Sequence, residues 1–112
     1  MKNDEKVVNK FIKTSINYGI AIEKGDSKKA NRQSKIIREI RKELFENNNI
    51  NILEPLFENE NEYVLLNVAS SLISVFPDKS IFILERLCSK KGLFAVEAQV
   101  FLNEWKNVNI KY

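Results

Sequence analysis

One thiol, fifteen carboxylates, eighteen basic side chains and no imidazole make up the titratable inventory of this 112-residue chain, apart from its tyrosines. The lack of histidine removes the usual general base near neutral pH. It also removes the Ser-His and Cys-His nucleophile pairs and any histidine-ligated metal. Cys88 stands alone, so it makes neither an intrachain disulfide nor a thiolate zinc site. It falls on the apolar side of its helical segment, where a small buried hydrophobe is the expected role. Gly19, Gly25 and Gly92 lie too far apart to form a phosphate-cradling loop. The three aspartates, Asp4, Asp26 and Asp78, each fall at a helix start, where capping or the helix dipole accounts for them. These residue types point away from an enzyme, and no cofactor or metal is expected.

Two charged groupings remain as candidate binding surfaces. In the second helical segment Lys28, Arg32, Lys35, Arg38 and Lys42 fall within about a third of the helix circumference at ~100° per residue. Several cations on one surface are what phosphate contacts require, because each neutralised phosphate releases counterions. Glu39 lies within the same face and can pair with Lys35 or Lys42 at helical spacing, which favours a solvated face. Glu54, Glu58, Glu60 and Glu62 cluster around one turn and form a candidate acidic patch for a cation or a basic partner. Trp105 and Tyr63 are able to stack on a base or anchor a partner, but at helical spacing a core role is the expectation. Tyr18 and Tyr112 lie off the main apolar stripes.

Six helical segments would position these residues. The first runs from about Asp4 to Lys24, with Val8, Phe11, Ile12, Ile16, Ile20 and Ile22 as its apolar stripe and Gly25 as its stop. The second runs from about Ser27 to Glu46, capped by Asp26 or Ser27, with Ala30, Ile37, Ile40 and Leu44 on one face. A short third segment near Ile50 to Glu58 contains Pro55, which a helix tolerates only near its first turn. Asn59 followed by Glu62 reads as a capping box opening a fourth helix from about Glu60 to Phe76, apolar over a wide arc and therefore central. Pro77 opens a fifth helix, about Asp78 to Ser89, and a sixth runs from about Leu93 to Asn107, after which fraying is expected. The links are short, so neighbouring helices should be antiparallel. Leu53-Glu54-Pro55-Leu56 recurs as Leu84-Glu85-Arg86-Leu87 at an offset of 31, and Tyr63 maps to Phe94 at the same offset. Ala69 aligns with Ala98 when two residues are dropped. A period near 30 with one helix pair per unit fits an α-solenoid.

The stretch from Leu53 to Leu72 resembles a HEAT repeat: an apolar helix, a polar turn, then a helix with Val68 and Ala69 at close-packing positions. Together with Pro77, Ala98, Leu102 and Trp105, it is similar to a small bacterial family of helical domains of unknown function, number two-thousand-nineteen. The resemblance covers roughly residues 50–107. HEAT repeats often carry an Arg after the Val of the second helix, and Leu65 occupies that place here. The family implies a stacked helical fold and no established chemistry, so it brings no catalytic residue to any position.

The resulting expectation is a single all-α domain spanning residues 1–112, built as antiparallel hairpins stacked into a short HEAT-like α-solenoid. An N-terminal helical pair (about 1–48) would precede the HEAT-like helices (about 50–107). With 44% hydrophobic and 29% charged residues the composition is that of a folding chain. No apolar run approaches the ~18–20 residues of a membrane span, and no signal-peptide pattern follows the charged start Met1–Lys6. With a single cysteine, this makes the cytoplasm the expected compartment. Lysine, asparagine and isoleucine enrichment accompanies AT-rich coding, so the pI near 9.0 is weak evidence for a nucleic-acid partner. Charge is polarised instead: residues 1–48 hold twelve Lys/Arg against seven Asp/Glu, and residues 49–112 hold six against eight. The first expectation is a non-catalytic protein–protein interaction module, of which a bacterial immunity protein masking a toxin would be one case. The net charge of +3 does not favour a basic nuclease as that toxin. The alternative is a nucleic-acid-binding domain using the basic face of the second helix.

Overall fold

Caps and breakers fix most helix ends where the residue types require. In the computed structural model, which describes residues 2–108, the elements are α1 (Lys2–Lys24), α2 (Ser27–Glu46), a 3-10 helix (Ile50–Glu58), α3 (Glu62–Leu72), α4 (Pro77–Cys88) and α5 (Leu93–Val108). No strand occurs among the described residues. Tyr112 and the expected fraying after Asn107 fall largely outside that range. Gly25 takes φ 72° as α1 ends, and the amide of Asp26 donates back to the Ala21 carbonyl at 2.9 Å. This is the left-handed stop that glycine adopts without a Cβ penalty. Asp26 then caps α2 by accepting from the Lys29 amide at 3.1 Å. Asn48 closes α2 in the same left-handed manner, at φ 53°.

Three departures from the sequence reading have local causes. The third segment is a 3-10 helix: Ile50, Leu53 and Leu56 are buried at a spacing of three, which aligns them on one face at 3.0 residues per turn. Pro55 has no amide hydrogen for an α-helical bond. The capping box at Asn59 is replaced by a cap two residues later. Asn61 Oδ1 accepts from the Tyr63 and Val64 amides at 2.9 and 3.1 Å, while Glu62 turns outward to Lys90. The fourth helix stops at Leu72 rather than Phe76, because a residue before proline avoids the helical region, and Phe76 lies at φ −127°, ψ 67°. Ser70 and Ser71 also donate back to the Leu66 and Asn67 carbonyls, a pattern that weakens a last turn.

The apolar stripe of α1 needs a correction too. Ile20 is 43% exposed, while Phe11, Thr14 and Ser15 are buried. At ~100° per residue Ile20 projects ~180° from Phe11, and Tyr18 only ~20° from it. The inward face therefore includes hydroxyl residues that a purely hydrophobic reading passes over. Ser15 is satisfied by Asn67 Nδ2 at 3.0 Å, a bond that ties α1 to α3.

One core joins the two halves. Phe11 of α1 and Ile37, Ile40 and Leu44 of α2 belong to the same buried cluster as Leu53, Val64, Val68, Leu72, Leu84 and Ala98. Helix α3 packs against α1, the 3-10 helix, α4 and α5, the central position its wide apolar arc requires. The radius of gyration, 13.4 Å, matches the ~13 Å of a compact chain of this length. The two quartets of the internal repeat place Leu53, Leu56, Leu84 and Leu87 all in the core, and Ala69 and Ala98 are both fully buried.

Candidate functional site

The binding candidates are best located by asking where polar groups are held in place yet left without a charge partner. Helix α2 presents Lys28, Arg32, Lys35, Arg38 and Lys42 to solvent, as its periodicity requires. Among the described residues none of the five forms a salt bridge, and Arg38 donates to Ser34 at 2.9 Å. Of these five, Arg38 alone borders a cavity. The four glutamates are arranged differently. Glu54 pairs with Lys79 at 3.2 Å and Glu62 with Lys90 at 3.4 Å. Glu58 and Glu60 rim a shallow pocket that also holds Lys79, Arg86 and Lys90. The turn that reads as acidic in sequence is thus interleaved with cations from α4 and the turn after it.

A concavity of a different kind lies between α2, α3 and α5, with Tyr18 of α1 reaching its edge. A cavity of about 690 Å³ there is lined by Arg38, Arg41, Asn67, Glu97 and Val100, among others. A second, of about 590 Å³, shares Arg41, Ser70, Phe101 and Glu104 and continues past Phe45 and Trp105. Together they form one groove. Its apolar strip is open: Val96 is 60% and Val100 52% exposed, although both are valines on a packed helix. Solvent-facing valines beside a half-buried tryptophan and Phe101 make the mixed apolar surface on which interfaces are centred.

The groove has a cationic and an anionic wall. On α2, Arg41 is half-buried and its Nε donates to Ser71 Oγ at 2.9 Å. Burial, and secondarily the neighbouring charge of Arg38, lowers the pKa of its guanidinium. On α5, Glu97 accepts from the Tyr18 hydroxyl through Oε1. Its Oε2 is shielded from solvent and has no hydrogen-bond partner among the described residues. Burial raises the Glu97 carboxyl above its usual range, opposed in part by the Tyr18 bond. Burial and Glu97 in turn push the Tyr18 phenol up. No ion pair crosses from Arg38 or Arg41 to Glu97 or Glu104 among the described residues.

Residue types alone do not single out Tyr18, Arg41 and Glu97 as site residues, but Arg41 and Glu97 each carry a signal. Arg41 falls on the rim of the buried arc of α2, four residues after Ile37 and three before Leu44. Glu97 sits between Phe94 and Phe101, which flank it at helical spacing, so a carboxylate is embedded in an apolar stripe. Cys88 is half-buried against the core, and burial raises its thiol pKa, which disfavours the reactive thiolate. No cluster of side chains suited to a metal occurs among the described residues, and no helix among them is long and apolar enough to cross a membrane.

The raised Glu97 pKa has a definite sign in stability. The folded state holds this proton more tightly than the unfolded one. Its stabilising contribution is complete below the unfolded carboxylate pKa and is lost as pH rises through the folded value. Glu97→Gln keeps an acceptor for Tyr18 and removes the titration. The variant is therefore expected to gain stability relative to the parent as pH rises through and above the ordinary carboxylate range. Urea unfolding at a series of pH values measures this, and a difference between the two proteins that stays flat with pH contradicts it.

No protein-family model matches this chain, and no curated protein matches it either. Among solved structures it is similar to the crystal structure of the protein RPA1889 from Rhodopseudomonas palustris CGA009, with 26% sequence identity and a TM-score of 0.84. The likeness covers 93% of this chain and 88% of that one, so the helical fold is shared over nearly the full length of both.

Proposed function

We propose that this protein is a non-catalytic protein-binding module, a short HEAT-like solenoid of helical hairpins, that seats a segment of another protein in the groove between α2, α3 and α5. The observation that carries this reading is the groove itself, an open valine and aromatic surface beside Arg38, Arg41, Glu97 and Glu104, which form no ion pairs among the described residues. The solenoid reading is supported by pairwise packing of consecutive elements, α1 on α2, the 3-10 helix on α3, α3 on α4 and α4 on α5. It is supported too by the burial of both repeat quartets. The likeness to the HEAT-like bacterial family of unknown function belongs to the same proposal. An immunity protein that masks a toxin in the bacterial cytoplasm is one role such a module would fill.

The test is a pull-down from the native cells with tagged parent protein and with Val100→Glu, at low and high salt. A single protein held by the parent at high salt and lost with Val100→Glu is the expected result. Retention of that protein by Val100→Glu would place the interface elsewhere and refute the groove assignment. A second reading, nucleic-acid binding by α2, is favoured by Lys28, Arg32, Lys35 and Lys42, which are exposed and form no ion pair among the described residues. It predicts retention of nucleic acid that falls steeply with salt and is abolished when Lys28, Arg32 and Lys35 are replaced together by Glu.

A further inference from the structure

Resting on the protein-binding reading, we infer that the groove recognises a peptide segment carrying both signs of charge, an acidic side chain at Arg38 and Arg41 and a basic one at Glu97, with an apolar residue between them on Val100 and Phe101. The first support is the state of Arg41. Its Nε is committed to Ser71, and the rest of its guanidinium fork has no acceptor among the described residues. A half-buried guanidinium beside a second arginine is costly unless an anion neutralises it, and the fork geometry suits a carboxylate held by two parallel bonds. The second support is Glu97. One carboxylate oxygen is fixed by Tyr18, which sets the orientation of the group, and the other is buried and unmet among the described residues. An unmet buried acceptor beside a groove calls for a donor, and a cationic donor gains most there.

Charge complementarity selects the class of occupant. Nucleic acid or an anionic membrane would satisfy Arg38 and Arg41 but would set its phosphates against Glu97 and Glu104. A cationic peptide would reverse the mismatch. Among the described residues the two walls do not neutralise each other, so a segment of mixed charge is the occupant that leaves neither wall unpaired. Val96 and Val100, exposed on the α5 side of the groove, and the half-buried Phe101 beside them call for an apolar side chain in that segment.

The experiment is a selection of displayed random peptides on the immobilised full-length protein, followed by Kd measurement for the best binder. Enriched peptides should carry an Asp or Glu and a Lys or Arg on either side of an apolar residue. Replacing the peptide's basic residue by Ala should weaken binding about tenfold or more. Glu97→Gln should weaken the parent peptide similarly, and the two changes together should cost little beyond either alone. Arg41→Gln should show the same coupling with the peptide's acidic residue. The peptide-side substitutions keep the test decisive should a protein variant be destabilised. An empty selection, binders of a single charge sign, or additive losses would each overturn the inference. So would self-association through this face, seen as a dimer in sedimentation that Val100→Glu dissociates. Binders that occupy the groove but ignore both charges would sink this inference and leave the protein-binding reading standing. A native partner indifferent to Val100→Glu would remove that reading itself.

Discussion

Phe11→Ala should lower the unfolding free energy by about 3–5 kcal/mol, read from urea denaturation at fixed slope. Phe11 is fully buried and is the α1 member of the common core cluster. Truncating it leaves a void, which the neighbouring helices are too closely packed to fill. A chain of this size has about 5–15 kcal/mol of stability in all, so the variant would sit near the edge of folding. The magnitude discriminates between two architectures. If α1 and α2 were a detachable cap, the substitution would split unfolding into two steps and leave the transition of α3, α4 and α5 near its parent midpoint. One transition shifted as a whole is the expected result, because α1 packs on α3, the 3-10 helix and α5 as well as on α2. A loss below about 1 kcal/mol would contradict the burial of this ring.

Gly19→Val should be comparably damaging, at about 3 kcal/mol or more, for the opposite reason. A Cβ at position 19 would come within 2.6 Å of Tyr63 Cγ, well inside van der Waals contact. The ring has little freedom to retreat. Its hydroxyl donates to Glu23 at 2.6 Å, and it stands edge-on to both Tyr18 and Phe94, with centroids 6.0 and 5.8 Å away. Overpacking of this kind costs about 1–3 kcal/mol, and the two γ-methyls of valine add to it. Gly19→Ala should cost less, because alanine recovers about 1 kcal/mol of helix propensity. In a Tyr63→Leu background the alanine penalty should shrink towards that propensity gain. Thermal unfolding of the four proteins closes the cycle, and equal penalties in both backgrounds would show that the ring is not the obstacle.

These two substitutions also mark where sequence reasoning holds and where it stops. Phe11 is evident from periodicity, because apolar residues at spacings of three and four must share a helix face. Gly19 offers no such signal. An isolated glycine inside a helix reads as a weak point, and only the approach of Tyr63 from another helix shows why a side chain does not fit. The same division runs through the helix ends. Gly25, Asp26 and Pro77 act on the backbone next to them through their own residue chemistry, so their positions are legible. The early end of α3 and the shift of its cap from Asn59 to Asn61 depend on competing local bonds whose balance the residue types leave open.

The groove follows the same logic. The sequence by itself determines that the chain is helical, which residues of α2 face water, and that no histidine, thiolate cluster or glycine loop supplies familiar catalytic chemistry. Those properties depend on residue type and on spacing within one helix. What only the tertiary structure decides is which faces meet. It separates Arg38 from the other four cations of its stripe and joins it to Arg41. It brings Tyr18, 79 residues distant, onto Glu97. It sets cations from α4 and the turn after it among the glutamates that read as an acidic patch. The physical reason is range: helix periodicity is set by bonds four residues long, whereas a groove is made of surfaces from separate helices, and their meeting depends on the packing of the whole core.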